Sequence, residues 1–265
     1  MAIRIIHFVA WKGIPNIHKR FSYCWHRSKL QQFRCYDTKL TTEELVKQMG
    51  KRSYWDEFYQ QKARQESSFD WFFEYDLIRY DVDEIISSAV KKTPSRYLTV
   101  LDIGCGTSSF AHEIAGRHKS EINVWCVDFS QEALVSLKKT QDEHCHSETL
   151  SNVDYIVADG FNLPFPNAAF DIIFEKGTLD SLLKSNALKL KVDKYLTEMM
   201  RLLSKNGFYC QFSDEDPDLR LPLLEEAKQK LEMVLMERIK ISFKQILPDS
   251  SMSYFVYYMS FEQHK

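Results

Sequence analysis

The sequence predicts an α/β protein built on a mostly parallel sheet of seven strands with helices on both faces. Three observations lead there. From Tyr97 to Ile103 a nearly continuous apolar run enters Gly104-Cys105-Gly106, the pattern of a parallel strand covered on both faces and ending in a tight turn. A second strand, Asn123 to Val127, ends in an acid, Asp128, roughly twenty residues past those glycines. Strand and helix patterns then alternate to the C-terminus without a break in composition, which gives one Rossmann-like unit and no internal repeat.

Each element has its own signal. Thr41 to Glu44 reads as a helix start. Two aromatic clusters follow, Tyr54 to Tyr59 and Phe69 to Asp76, which suit N-terminal helices packed on the sheet. Trp71 and Tyr75 are the candidates for a lid over a flat ligand ring. Tyr80 to Val90 has amphipathic helical spacing, closed by Pro94. Gly104 and Gly106 let the chain turn and leave no side chain between backbone and ligand. Thr107, Ser108 or Ser109 then caps a helix reaching Arg117, and Ser130 caps Gln131 to Lys139. Residues 141–151 read as a polar insertion, whose His144-Cys145-His146 lacks the distant ligand pair a metal site needs. The third strand, Val153 to Ala158, ends at Asp159-Gly160, and the fourth is Phe170 to Phe174. Lys194 to Leu203 is helical, Lys205-Asn206-Gly207 a turn, and Phe208 to Phe212 the fifth strand. After a helix over Leu221 to Gln229, Met233 to Ile241 and Tyr254 to Phe261 are expected as the closing strands, one of them antiparallel to the rest.

Bulk properties exclude several classes. A net charge of −2 gives no general attraction to nucleic acid or to an anionic membrane surface. No apolar run approaches the roughly 20 residues that span a bilayer. The six cysteines show no paired spacing and read as reduced thiols. From Met1 to Tyr36 there is no acid, while Arg4, Lys12, Lys19, Arg20, Arg27, Lys29 and Arg34 alternate with apolar residues. That composition predicts a mitochondrial transit peptide over 1–36 and a matrix location. A helical and aromatic lid segment over 37–96 and a catalytic core over 97–265 complete the expected organisation.

The ligand follows from the turn. A dinucleotide fingerprint needs a third glycine, where this chain has Ser109. Asp102, two residues before the first glycine, repels a pyrophosphate and suits an ammonium. A nucleoside with a cationic amino-acid tail satisfies both, which describes S-adenosylmethionine. Cofactor-binding candidates are Asp102, Gly104 and Gly106 at the turn, Asp128 for the ribose hydroxyls and Phe129 against the adenine. Asp159 with Gly160 is placed for the adenine amino group, Trp71 for the lid, and Glu175 beside the reactive methyl at the end of the fourth strand.

With these residues in place the chain resembles the seven-β-strand, class I methyltransferases from about Tyr54 onward. Glu175-Lys176-Gly177-Thr178-Leu179-Asp180 is similar to the Asp-Lys-Gly-Thr-x-Asp motif of a branch of protein lysine methyltransferases. Phe69 to Phe73, Leu101 to Ser109 and Gln211 to Pro222 narrow the resemblance to the branch acting on citrate synthase in mitochondria. The resemblance implies citrate synthase as the protein partner. Glu175 departs from the family's Asp by one methylene. The expected chemistry is in-line displacement, with a neutral lysine amine taking the sulfonium methyl. Glu175 and Asp180 are the catalytic candidates at the rim, and Asp214, Glu215 and Asp216 the substrate-binding ones. A small-molecule acceptor would use the same cofactor half, and a non-catalytic mitochondrial assembly factor would keep the same cradle. Base methylation fits less well, because the Pro-Pro-aromatic turn and the Cys-Pro nucleophile are both missing after the fourth strand.

Overall fold

The computed structural model describes residues 42–64, 69–93, 96–144, 152–185, 190–247 and 252–263. The basic segment 1–36, the Thr41 cap, Pro94 and Cys145-His146 lie outside the described residues. The chain runs α1 (Thr42–Met49), α2 (Arg52–Arg64), α3 (Tyr75–Lys92), β1 (Leu98–Ile103), α4 (Phe110–Arg117), β2 (Ile122–Asp128) and α5 (Gln131–His144). It continues with β3 (Val153–Val157), β4 (Phe170–Lys176), α6 (Thr178–Lys184), α7 (Val192–Leu202) and β5 (Leu203–Ser213). It closes with α8 (Pro217–Leu235), β6 (Ile239–Ile246) and β7 (Tyr254–Phe261).

The strands form one seven-stranded sheet in the order β3-β2-β1-β4-β5-β7-β6. The first five are parallel, and β7 lies antiparallel between β5 and β6. Strand order reverses between β1 and β4, so a crevice opens beyond their carboxyl ends. One face carries α3, α4 and α5 over Val100, Phe174 and Phe212. The other carries α7 and α8 over Leu101, Ile173 and Tyr209. A third cluster, Trp55, Phe58 and Tyr59 of α2 against Ala133 of α5, seats the N-terminal helices beside the crevice.

Local chemistry sets several boundaries. The Ser108 hydroxyl accepts from Phe110 N at 3.2 Å at the start of α4, and Ser130 accepts from Ala133 N at 3.3 Å at the start of α5. Asp216 accepts from Asp218 N at 2.9 Å to cap α8, whose first residue is Pro217. Three expectations are corrected. The apolar run from Met233 is not strand: α8 continues to Leu235, leaving Met233 and Val234 exposed, and ends at Met236 in a left-handed conformation with φ 55°. β6 starts only at Ile239. Lys205-Asn206-Gly207 lies within β5, where the register slips from Phe170↔Leu203 to Ile172↔Phe208. This irregularity requires glycine at 207, since a Cβ there would stand 2.7 Å from the Asp171 carbonyl oxygen. Tyr75 is no lid; it is buried at the start of α3 with its ring edge-on to Phe110.

Candidate functional site

A cavity of about 270 Å³ lies at the carboxyl ends of the central strands. Its walls include Gly104, Asp128, Phe129, Asp159, Gly160 and Trp71, which were six of the expected cofactor residues. A narrow companion pocket of about 10 Å³ holds Asp102, Gly106, Asp70 and Lys176. The aromatic segment from Phe69 to Phe73 roofs this end. Thr107 clamps it, accepting from Phe69 N at 3.0 Å and donating to Phe69 O at 3.2 Å. Phe73 N donates to Trp71 O at 2.7 Å around Phe72, whose φ of 67° makes the bend a γ-turn. Trp71 then lies on Gly177, where a Cβ would come within 3.1 Å of the indole.

The carboxylates differ by what they touch. Asp128 accepts from Gly106 N at 2.9 Å and from Ser130 N at 2.8 Å, so it ties the glycine turn to the second strand. Burial raises its pKa to about 6 against those two hydrogen bonds. Asp102 is buried, and its Oδ2 has no hydrogen-bond partner within the protein. Burial raises it to about 7, with the Lys176 ammonium opposing the rise. Asp159 accepts from Phe161 N at 3.1 Å at the exposed rim of the cavity.

Strand alternation decides which acids line the two cavities. Asp102 pairs in register with Phe174 and shares its face of the sheet, while Ile103 and Glu175 belong to the opposite face. Glu175 is therefore wholly buried and lines neither cavity. Its Oε2 accepts from Leu179 N at 2.6 Å in the first turn of α6. Burial, reinforced by the nearby Asp180 charge, raises it to about 8. Asp180 accepts from Arg220 at 2.5 Å and from Ser213 Oγ at 2.9 Å, in a buried cluster rather than at the rim. Asp214, Glu215 and Asp216 also line neither cavity. Glu215 is held by its backbone, with its N–H on Ser213 Oγ and its carbonyl accepting from Tyr257 OH, and Asp216 is committed to the α8 cap. Sequence reasoning missed Lys176 and Tyr59. The period-two pattern of β4 was the available signal for Lys176, which shares the face of Phe174 and hence of Asp102.

A family model described as a methyltransferase domain matches residues 94–256. The chain is 30% identical over 240 residues to the mitochondrial citrate synthase-lysine N-methyltransferase of Danio rerio, covering 88% of this chain and 92% of that protein. It is 32% identical over 187 residues to the protein of the same name from Homo sapiens, covering 67% and 76%. The chain belongs to the citrate synthase lysine methyltransferase family. Its fold also resembles that of magnesium protoporphyrin IX methyltransferase from Synechocystis, with TM-score 0.52 at 13% identity over 83% of this chain and 98% of that one. As a family member this chain is a protein-lysine N-methyltransferase of class I, and its cofactor is S-adenosylmethionine.

The residues present fit that cofactor. The buried Asp102 carboxylate oxygen, with no hydrogen-bond partner within the protein, suits an ammonium. The glycine turn leaves no room for side chains: a Cβ on Gly106 would stand 2.6 Å from Tyr59 OH, and one on Gly104 would overlap the Thr178 side chain. Both glycines have positive φ, 67° and 55°. Trp71, Phe129 and Trp55 supply flat apolar walls around the cavity.

Proposed function

We propose that this enzyme methylates a lysine of citrate synthase in the mitochondrial matrix. The observation that carries the proposal is the match along 88% of the chain to a relative bearing that substrate and compartment in its name. The acid-free basic segment 1–36 supports the compartment. In this reading Asp102 takes the methionine ammonium, Asp128 the ribose hydroxyls, and Asp159 with Phe129 and Gly160 the adenine. Gly104 and Gly106 give close backbone approach, and Trp71 covers the ligand. When bound, the cofactor supplies a methyl group activated by its sulfonium.

The protein's own contribution is burial and placement. A lysine amine entering an aromatic-walled cavity is desolvated, which favours its neutral, nucleophilic form over the ammonium. Glu175 and Asp180 act as positioning residues. Glu175 fixes the first turn of α6 through Leu179 N, and Asp180 ties that helix to Arg220 and β5. Asp214, Glu215 and Asp216 shape the loop above them and meet the protein substrate at its edge. The test is mass spectrometry of purified citrate synthase after incubation with this enzyme and S-adenosylmethionine. Added methyl on one lysine is expected. Methyl transfer only to small molecules of a mitochondrial extract, with citrate synthase unmodified, would overturn the proposal.

A further inference from the structure

The narrow pocket beside Asp102 contains a feature that cofactor placement by the acids alone leaves unused. Among the described residues lining it, Lys176 carries the only positive charge. It stands two residues beyond Phe174, the register partner of Asp102, so both side chains project from the same face of neighbouring parallel strands. Lys176 is buried, between the rings of Phe73 and Phe110 at 5.5 and 6.0 Å. It donates to the Asp70 carboxylate and, at 3.1 Å, to Phe73 O. An ammonium has three N–H donors, so one remains for another acceptor.

We infer that Lys176 binds the carboxylate of the cofactor's methionine tail, while Asp102 binds its ammonium. The inference rests on the cofactor reading of this site. An amino-acid tail is a zwitterion, and the pocket offers the complementary pair on adjacent strands. The charges also balance. Asp70, Asp102 and the ligand carboxylate oppose Lys176, the ligand ammonium and the sulfonium, which leaves this desolvated end of the cavity neutral. A buried lysine needs such compensation, because burial alone disfavours its charged form. A pocket of about 10 Å³ has room for about one water. The tail therefore enters as the Phe69–Trp71 roof shifts, and its carboxylate shares Lys176 with Asp70. The opposing possibility is that Lys176 only latches the roof through Asp70. A latch would affect every nucleoside ligand alike, whereas a carboxylate receptor would distinguish ligands by that one group.

The experiment compares S-adenosylhomocysteine with 5′-deoxy-5′-(3-aminopropylthio)adenosine, which lacks only the carboxylate. Dissociation constants are measured by calorimetry on the full chain, as wild type, Lys176→Met, Lys176→Gln and Lys176→Arg. The wild type is expected to favour the carboxylate-bearing ligand at least tenfold. That preference should shrink to within twofold in Lys176→Met and Lys176→Gln, and survive in Lys176→Arg. Either neutral variant that folds decides the question. Equal affinities in the wild type, or full preference retained in a neutral variant, would overturn the assignment. Absence of binding by both ligands to folded wild type would instead overturn the cofactor placement beneath it.

Discussion

Cofactor affinity should depend on pH through Asp102, and the structure sets the size of the effect. Its carboxyl must be ionised to receive an ammonium, yet burial has raised its pKa to about 7. At pH 6 only about one Asp102 in eleven is ionised, so affinity falls about tenfold between pH 8 and pH 6. Asp128, raised to about 6, must likewise be a carboxylate to accept ribose hydroxyls, and adds about a further twofold. Multiplied, the two factors give about a 20-fold rise in the dissociation constant, equivalent to about 1.8 kcal/mol. The ligand's own α-amino group, next to a free carboxylate and so more basic than a chain terminus, keeps its proton across this window and loses it only at higher pH, where affinity falls again. Calorimetric titration with S-adenosylhomocysteine at constant ionic strength measures the profile. Asp102→Asn should bind at every pH about as weakly as acidified wild type and keep only the Asp128 slope. A wild-type dissociation constant constant within twofold from pH 6 to pH 8 would refute the reasoning.

Other substitutions test the remaining assignments. Glu175→Gln should leave cofactor affinity and turnover within about twofold, since Glu175 touches neither cavity; a large loss of kcat alone would return it to the chemistry. The same variant should flatten stability against pH. With its folded pKa raised to about 8, Glu175 holds a proton that the unfolded chain releases near 4.5, so its contribution falls as pH rises between those values. Thermal melts should accordingly show Glu175→Gln gaining on the wild type at pH 9. Asp180→Ala strands Arg220, only 2% exposed, and should cost about 3–5 kcal/mol in urea unfolding; unchanged stability would count against the buried pair. Gly106→Ala forces a side chain into a left-handed backbone, costing about 1–2 kcal/mol, and displaces the Tyr59 hydroxyl. Its cofactor affinity should drop well below that of Gly116→Ala, where a Cβ meets nothing within 4 Å.

Much of this molecule was legible in the sequence, because a buried parallel strand, a glycine turn and a strand-end acid are local patterns. The alternation of elements, the order of the acids and the cavity walls at Gly104, Asp128, Asp159 and Trp71 all follow from such patterns. What escaped was set by facing. Glu175 and Lys176 are neighbours, and a strand turns one of them away from the pocket whenever it presents the other. Asp180 and Asp216 resemble rim acids in sequence, but one neutralises a buried arginine and the other caps a helix. Such partners lie 40 residues away in one case and two in the other, and only the folded chain tells which applies. The strand expected from Met233 failed for a related reason: an apolar surface run at the end of a long helix has no periodic mark of its own.

The central claim, that the cofactor sits against the glycine turn beyond β1, β2 and β4, has a direct measurement. Irradiating the protein with methyl-tritiated S-adenosylmethionine and mapping the labelled peptides locates the nucleoside on the chain. Label in the peptides holding Trp71, Phe129 or Phe161 is the expected result. Label confined to the groove at the other end of the sheet, around Lys92 and Lys240, would contradict the account.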